Sequence, residues 1–511
     1  MGDREPLIRD PVVVKLVEVW RPVWALSYAS SLLGWDARTY MPRKAAPERG
    51  VARAELSVLS RRLLLSREVK ALLEVAEKRV ELLNLYEAGV VRVLRREIDI
   101  SEKLPEDFVY NFNKLVEEAA SVWEQAKAKS DFKMFQPYLE KIVEMARKEA
   151  EYLGYEGHPY NALLDLYEEG LRIDDVDNMF NTIIPESKKV LEKVLSEGYY
   201  PQKHELERRE YDKEKMREAN VKILNLLGYP WERARMDVSA HPFTTKIGMY
   251  DVRITTWYPE IDGAPRDFKR SLYAVIHEFG HALYELQVDE RLAMTPVASA
   301  NSLGIHESQS RFWENIVGRS MEFTGLIKPI LDETIGITKE YTVEELYKYF
   351  NIVTPSLIRV EADEVTYNMH IYLRYVIEKK LIEGSLSVSE LPQVWNDMME
   401  ELLGVRPKND REGVLQDVHW SLGSIGYFPT YSLGNVVSAQ VKAALEKDLG
   451  ELPDLISRGE EGIVEIKNWL REKIHKYGST LKPRDIVKRA TGEEYNPKYF
   501  VEYLYKKYVR R

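Results

Sequence analysis

No cysteine occurs among the 511 residues. That excludes disulfides, a thiol nucleophile and thiolate metal sites. A transition metal in this chain has to be held by His, Asp or Glu. Also missing is any run of eighteen uncharged apolar residues, so no membrane span is expected. The N-terminal MGDREPLIRDPVVVKLVEVW carries charges through its apolar stretch and lacks the layout of a signal peptide, which makes the cytoplasm the expected location. There is no basic stripe either. The formal net charge is −10, and Lys and Arg interleave with Asp and Glu along the chain, which argues against nucleic-acid binding. The lack of Cys beside abundant Glu, Lys and Arg fits growth at high temperature.

What is present is a globular balance, 44% apolar and 31% charged residues. The length exceeds one usual hydrophobic core. No Pro/Ser-rich linker and no fixed-period repeat divides it. The expectation is therefore one mostly helical catalytic unit over residues 1–511, with two lobes.

The first 230 residues read as helix after helix. VKALLEVAEKRVELLNLYEAGVVRVLRREI spaces apolar residues by three and four with charges between them, and YLEKIVEMARKEAEYLG repeats the pattern. Near Arg233 the character changes. Tyr250, Val252, Ile254, Thr256 and Tyr258 alternate strictly with Asp251, Arg253, Thr255 and Trp257, which signals a strand. A partner is expected in RARMDVSAHPFTTKIGM, giving a small sheet. Helical patterns resume at Phe268 and run to about Met399. The Gly-rich SLGSIGYFPTYSLGN reads as loop. Helix follows to the end.

Within SLYAVIHEFGHALYEL stands H-E-F-G-H at 277–281. In a helix, positions i and i+4 lie above one another on one face. Both imidazoles can then reach one zinc ion, and Glu278, rotated by roughly 100°, sits beside it as a general base for water. Catalytic zinc needs a third protein ligand and an open position. Gln287 stands where a metzincin would place a third His. Glu285 shares the face but lies eight residues, about 12 Å, from His277 along the axis. The third ligand should come from another segment, and His306 and Glu307 in SLGIHESQSRFWEN are next in line. Gly304 breaks the chain before what reads as a second helix, able to run antiparallel to the first. Spacing does not choose between His306 and Glu307.

At this point the chain resembles the thermostable carboxypeptidases typified by carboxypeptidase Taq. The hallmark segments occur in order: HPF at 241–243, DVRIT at 251–255, HEFGH at 277–281, HESQ at 306–309, IRVEAD at 358–363 and GVLQDVHW at 413–420, with WDARTYMP at 35–42 like the family's N-terminal segment. The resemblance implies a large helical zinc-peptidase fold with a deep central groove and a small sheet beside the active site, like neurolysin and angiotensin-converting enzyme. It implies a homodimeric metallocarboxypeptidase that releases single C-terminal residues from peptides with broad specificity. It makes Glu307 the third ligand, with zinc usual and cobalt active in some members.

An exopeptidase must hold a free terminal carboxylate, and the guanidinium fork suits that task. The family motifs point to Arg359 and Arg253. The alternative for Arg359 is an ion pair with Asp363 at i+4. The alternative for Arg253 is the solvated face of a half-buried strand. The tetrahedral oxyanion needs donors besides the metal, and His419, Tyr427 and Tyr431 lie in or beside the Gly-rich stretch. His241 is a candidate to shape a substrate subsite. Trp35 and Met41 read as core.

Overall fold

The computed structural model describes residues 5–509. The opening helix spans Pro11–Thr39 and starts where its residues say it should. Asp10 accepts from the backbone N–H of Val12 and Val13 at 2.9 and 3.3 Å, and Pro11 takes the first helical position, where its missing N–H costs nothing. Val13, Leu16, Val17, Trp20 and Val23 give it a buried stripe at three- and four-residue spacing. Helices then follow one another to Leu226, as the periodicity required. They include Ala46–Leu64, Leu85–Lys103 and Tyr160–Tyr167.

The small sheet has three strands: β1 Ala234–Val238, β2 Thr244–Gly248 and β3 Asp251–Thr256. Their order is β1-β3-β2, with β1 parallel and β2 antiparallel to β3. The alternating run is thus the central strand, and RARMDVSAHPFTTKIGM supplies both neighbours. Val252, Ile254 and Thr256 are buried, as the alternation demanded. Thr255, expected on the outer side, is buried as well. Its hydroxyl receives the backbone N–H of Phe243 at 3.0 Å and lies 2.7 Å from Ser239 Oγ, so it pins the HPF turn.

Two readings of glycine needed correction. Gly304 does not precede a helix but lies inside one, Leu303–Arg311, whose cap is Ser302. The end of the Gly-rich stretch is not loop. Pro429 starts a helix that runs to Leu449 and contains Tyr431 and Gly434. Both glycines serve close packing. A Cβ on Gly304 would lie 2.8 Å from Glu168 Oε2, and one on Gly434 would lie 2.6 Å from Glu307 Cγ. The helical run after Phe268 is also interrupted, because residues 351–366 are irregular apart from a short 3₁₀ turn at Arg359–Glu361.

Buried apolar side chains among the described residues form two clusters. The smaller joins helices between Val13 and Ile98 to Met249, Val288, Leu292, Val297 and Ala298. The larger includes the HEFGH helix, Lys269–Leu286. Beside the smaller cluster runs a groove of about 660 Å³, bounded by the opening helix, β2 and residues 293–302.

Candidate active site

His277 and His281 stand one turn apart on the HEFGH helix, their rings edge to face with centroids 4.8 Å apart. The Leu303–Arg311 helix crosses close by. Gly280 permits that approach, since a Cβ there would meet the carbonyl oxygen of Gln309 at 2.5 Å and Ser310 Cα at 2.6 Å. Glu307 Oε2 consequently lies 3.7 Å from His277 Nε2 and 3.4 Å from His281 Nε2. Ligand bonds of about 2.0–2.2 Å in a tetrahedron would set neighbouring ligand atoms roughly 3.3–3.6 Å apart. The three side chains, with ligand atoms all within 4.8 Å of one another, therefore fit one divalent metal ion.

The surrounding groups orient each of the three. His277 Nδ1 lies 2.9 Å from Glu314 Oε2, which turns the Nε2 lone pair to the centre. Glu314 reaches this position from a π-helical segment, Phe312–Val317, and is held by Arg319 at 3.0 Å. Behind His281 the pattern differs. His281 Nδ1 is 2.6 Å from His306 Nδ1, and His306 Nε2 is 3.3 Å from Glu285 Oε1. Because Glu285 can only accept, His306 donates to it and accepts at Nδ1, so His281 donates there and keeps its own Nε2 free. Lys246 of β2 pairs with Glu285 at 2.9 Å and closes the chain. His306 is thus placed behind a ligand rather than among the ligands. Glu307 Oε1 accepts from Arg311 Nε at 2.6 Å, and Oε2, which also accepts from Ser310 Oγ at 3.1 Å, faces the centre.

The two histidines differ in charge preference. Burial lowers the His277 pKa, but Glu307 and Glu314 outweigh it and the net shift is upward. Burial pulls His281 down to about 3; Glu307 opposes the shift, but His306 and His277 add to it. For Glu307 burial pushes up, yet Arg311 and His277 hold it well below the usual carboxylate range. Glu278 is buried, and its Oε2 accepts from Thr244 Oγ1 at 2.6 Å. Burial raises its pKa, the direction a base for water requires.

Arg359, His419, Tyr427 and Tyr431 come together. Arg359 lies 7% exposed and does not pair with Asp363. Asp417 Oδ1 accepts from its Nε at 3.0 Å and its Nη2 at 2.7 Å, while Asp417 Oδ2 accepts from Arg374 Nε at 2.7 Å. Asp363 is spent on the backbone of Thr354, Val365 and Thr366 instead. Arg359 Cζ stands 5.2 Å from the Tyr431 ring centre, and Tyr431 OH lies 3.2 Å from His419 Nε2. Tyr427 packs on both His419 and Tyr431 with centroids 5.3 Å apart.

Arg253 stands elsewhere. In the β2–β3 register Thr244 faces Ile254 and Thr245 faces Arg253. Arg253 therefore projects from the side of the sheet opposite Thr244 and Glu278. Asp251 binds it at 2.7 and 2.8 Å, and its Cζ lies 4.1 Å from the ring centre of Trp35. The His241 side chain is exposed, while its carbonyl accepts from Ser239 Oγ at 2.6 Å.

Sequence reasoning missed Arg311, Glu314, Asp417 and Tyr367. Arg311 had a signal, its i+4 spacing from Glu307. Tyr367 had none. It joins the two halves of the site, with its ring 4.5 Å from Arg311 Cζ and its OH 3.2 Å from Arg359 Nη1.

A sequence pattern described as Carboxypeptidase Taq (M32) metallopeptidase matches residues 15–508. The chain belongs to that family. As a member it is a metal-dependent carboxypeptidase, a peptide hydrolase. It is 49% identical over 506 residues to thermostable carboxypeptidase 1 of Pyrococcus furiosus, covering 99% of this chain and 100% of that one. Thermostable carboxypeptidase 1 of Thermus thermophilus is 38% identical over 505 residues, covering 97% and 98%. Among solved structures, a Pyrococcus furiosus carboxypeptidase superposes with a TM-score of 0.95 at 49% identity, covering 98% of this chain and all of that one. The carboxypeptidase from Deinococcus radiodurans R1 gives 0.93 at 33% identity, covering 98% and 99%. The helical carboxypeptidase Taq fold, with its small sheet, is therefore the fold of this chain.

Proposed function

We propose that the protein is a zinc carboxypeptidase that releases single C-terminal residues from peptides with broad specificity. In this reading His277, His281 and Glu307 hold the metal, and cobalt is able to replace zinc. When bound, the metal supplies a Lewis acid that polarises the scissile carbonyl and acidifies the attacking water. Glu278 takes the proton from that water and hands it to the leaving amine, with Thr244 fixing the carboxylate Oε2 that it touches. Tyr431, Tyr427 and His419 donate to the developing oxyanion. Arg359, steadied by Asp417, receives the terminal carboxylate.

The observation that carries this reading is the placement of a buried, pre-oriented arginine beside the tyrosines that border the metal ligands. Tyr367 spans the gap from Arg311, which holds Glu307, to Arg359. Arg253 takes a different part. Its place against Trp35 supports a role in fixing the end of the opening helix to the sheet, which shapes the groove without touching the terminal carboxylate. His241 borders the same turn and would act there through the shape of the subsite.

Residues 1–511 are read as one catalytic unit of two lobes, in keeping with the two apolar clusters. A homodimer in the cytoplasm is part of the same reading. It agrees with the finding that no described helix is long and apolar enough to cross a membrane. The test uses a mixed peptide pool followed by mass spectrometry, with free and amidated C-termini and with and without chelator. Stepwise loss of single residues from free acids only, abolished by chelator, is expected. Internal cleavage of amidated peptides at the same rate would mean an oligopeptidase instead.

A further inference from the structure

A second groove, of about 710 Å³, lies where the Pro11–Thr39 and Ala46–Leu64 helices face Phe243, Thr244 and Thr245. It shares Ser27 and Ser31 with the first groove, so the two are successive stretches along β2. Their charges differ. The first is lined by both signs, Arg92, Arg96 and Lys246 beside Glu97, Glu169 and Asp251. The second is lined by Arg38, Arg53 and Arg61 with no Asp or Glu, in a chain where acidic residues outnumber basic ones 83 to 73. Hydroxyls complete it, among them Ser30, Ser57 and Ser60.

The arginines are not equivalent. Arg61 supports the fold, donating to the carbonyls of Ser101 and Leu104 at 2.7 and 3.0 Å. Arg49, also on the second helix, pairs with Asp36 at 2.8 Å. Arg38 and Arg53 have no hydrogen-bond or carboxylate partner among the described residues. Arg38 Cζ lies over the Phe243 ring at 4.8 Å. Arg53 Nη2 packs over Gly34, 3.5 Å from where a Cβ would stand, one helical turn before Arg38. Burial and the charge of Arg53 both depress the Arg38 pKa, as expected for like charges held on one face. The groove ends at Thr244, whose hydroxyl touches Glu278.

We propose that Arg38 and Arg53 form an anion subsite that binds an acidic side chain of the peptide upstream of the scissile bond. This rests on the reading that Arg359 holds the terminal carboxylate, so the anion that reaches Arg38 is a different group of the same peptide. Two unpaired cations and a wall of hydroxyl donors match a carboxylate, and the absence of acidic groups in the lining leaves nothing to repel it.

The test compares two peptides that differ only by Glu or Gln at one upstream position and release the same neutral residue. The native protein should favour the Glu peptide by about fivefold to tenfold in kcat/KM, through KM, and less so at 0.5 M salt. In Arg38→Gln/Arg53→Gln the ratio should fall to about one, and in Arg38→Lys/Arg53→Lys most of it should persist. Equal cleavage of both peptides by the native protein overturns the subsite. So does a Lys variant that behaves like the Gln variant, since the effect would then be packing rather than charge. Inorganic phosphate that alters cleavage of the Gln peptide by the native protein but not by the Gln variant overturns the substrate assignment in favour of a free anion. Failure to release a residue from either peptide overturns the carboxypeptidase reading itself.

Discussion

Around the metal centre, position comes from helices. His277, Glu278 and His281 share one helix, Glu307 and Arg311 another, and the glycines 280 and 434 set how closely the neighbouring helices pack. Around Arg359, position comes from irregular backbone. The arginine sits in a 3₁₀ turn at 359–361, Asp417 before another at His419–Leu422, and Tyr427 just ahead of the Pro429–Leu449 helix. What replaces helical rigidity there is a dense ion network, with Asp417 between two buried guanidiniums and its pKa held far below the usual carboxylate range. One half of the site is built by packing, the other by charge. In the proposed mechanism the base sits on the rigid half and recognition of the terminal carboxylate on the charged half.

That contrast decides which substitutions do what. Removing the base from the rigid half has the largest effect. Glu278→Gln should keep its place beside Thr244 and leave the metal bound, while kcat falls by about 10²–10⁴-fold. Metal analysis beside single-turnover rates checks it. Full activity with metal retained would move the base elsewhere. On the charged half, Arg359→Lys keeps a cation but loses the fork that Asp417 holds. A loss of about 10²-fold in kcat/KM on free acids is expected, with the preference over amidated peptides largely gone and metal affinity unchanged. If that preference persisted, the terminal carboxylate would have to bind outside this cluster.

A smaller effect probes the layer behind the ligands. Glu314→Gln removes the carboxylate that aligns His277 and takes from Arg319 its carboxylate partner, while Arg311 keeps Glu307. Metal affinity, read by titration against a chelator, should weaken about tenfold to a hundredfold. Terminal-residue selectivity should stay. A change in selectivity equal to that of Arg359→Lys would mean that the two halves are not separable.

The same division explains what could be read from the chain in advance. HEFGH is a local pattern with a fixed helical geometry, so the stacking of His277 on His281, with Glu278 beside them, is legible from spacing alone. The three-stranded sheet was legible from one alternating run. Glu307 was not separable from His306, because that choice depends on the crossing of two helices, set by Gly280 and invisible in either segment. Arg359 was named through resemblance, and its actual partner Asp417 lies 58 residues away instead of four. Gly434 reads as loop because a glycine that admits Glu307 looks, in sequence, like one that bends a loop. Arg253 is named by the family motifs, and strand alternation does not say which face meets the metal helix. Only the Thr244–Ile254 register does.

The least of the expected effects tests the charged half through stability. Burial holds the His419 pKa down to about 4, with Arg359 and Arg374 adding to the shift and Asp417 opposing it. An unfolded histidine titrates near 6.5. The folded protein thus resists a proton that the unfolded chain accepts. The stabilising contribution of neutral His419 is complete above about pH 6.5 and is lost progressively as the pH falls toward 4. Between pH 7 and pH 5.5 the loss from this one group should be about 1 kcal/mol, and it should be absent from His419→Gln. Urea unfolding of both proteins at the two pH values isolates it, because the other histidines held down by burial, among them His281, His370 and His475, are common to both. An identical decline in the two proteins would place His419 in water rather than against Phe428 and Tyr431. The charged half would then lose its claim to be a dry, pre-set site.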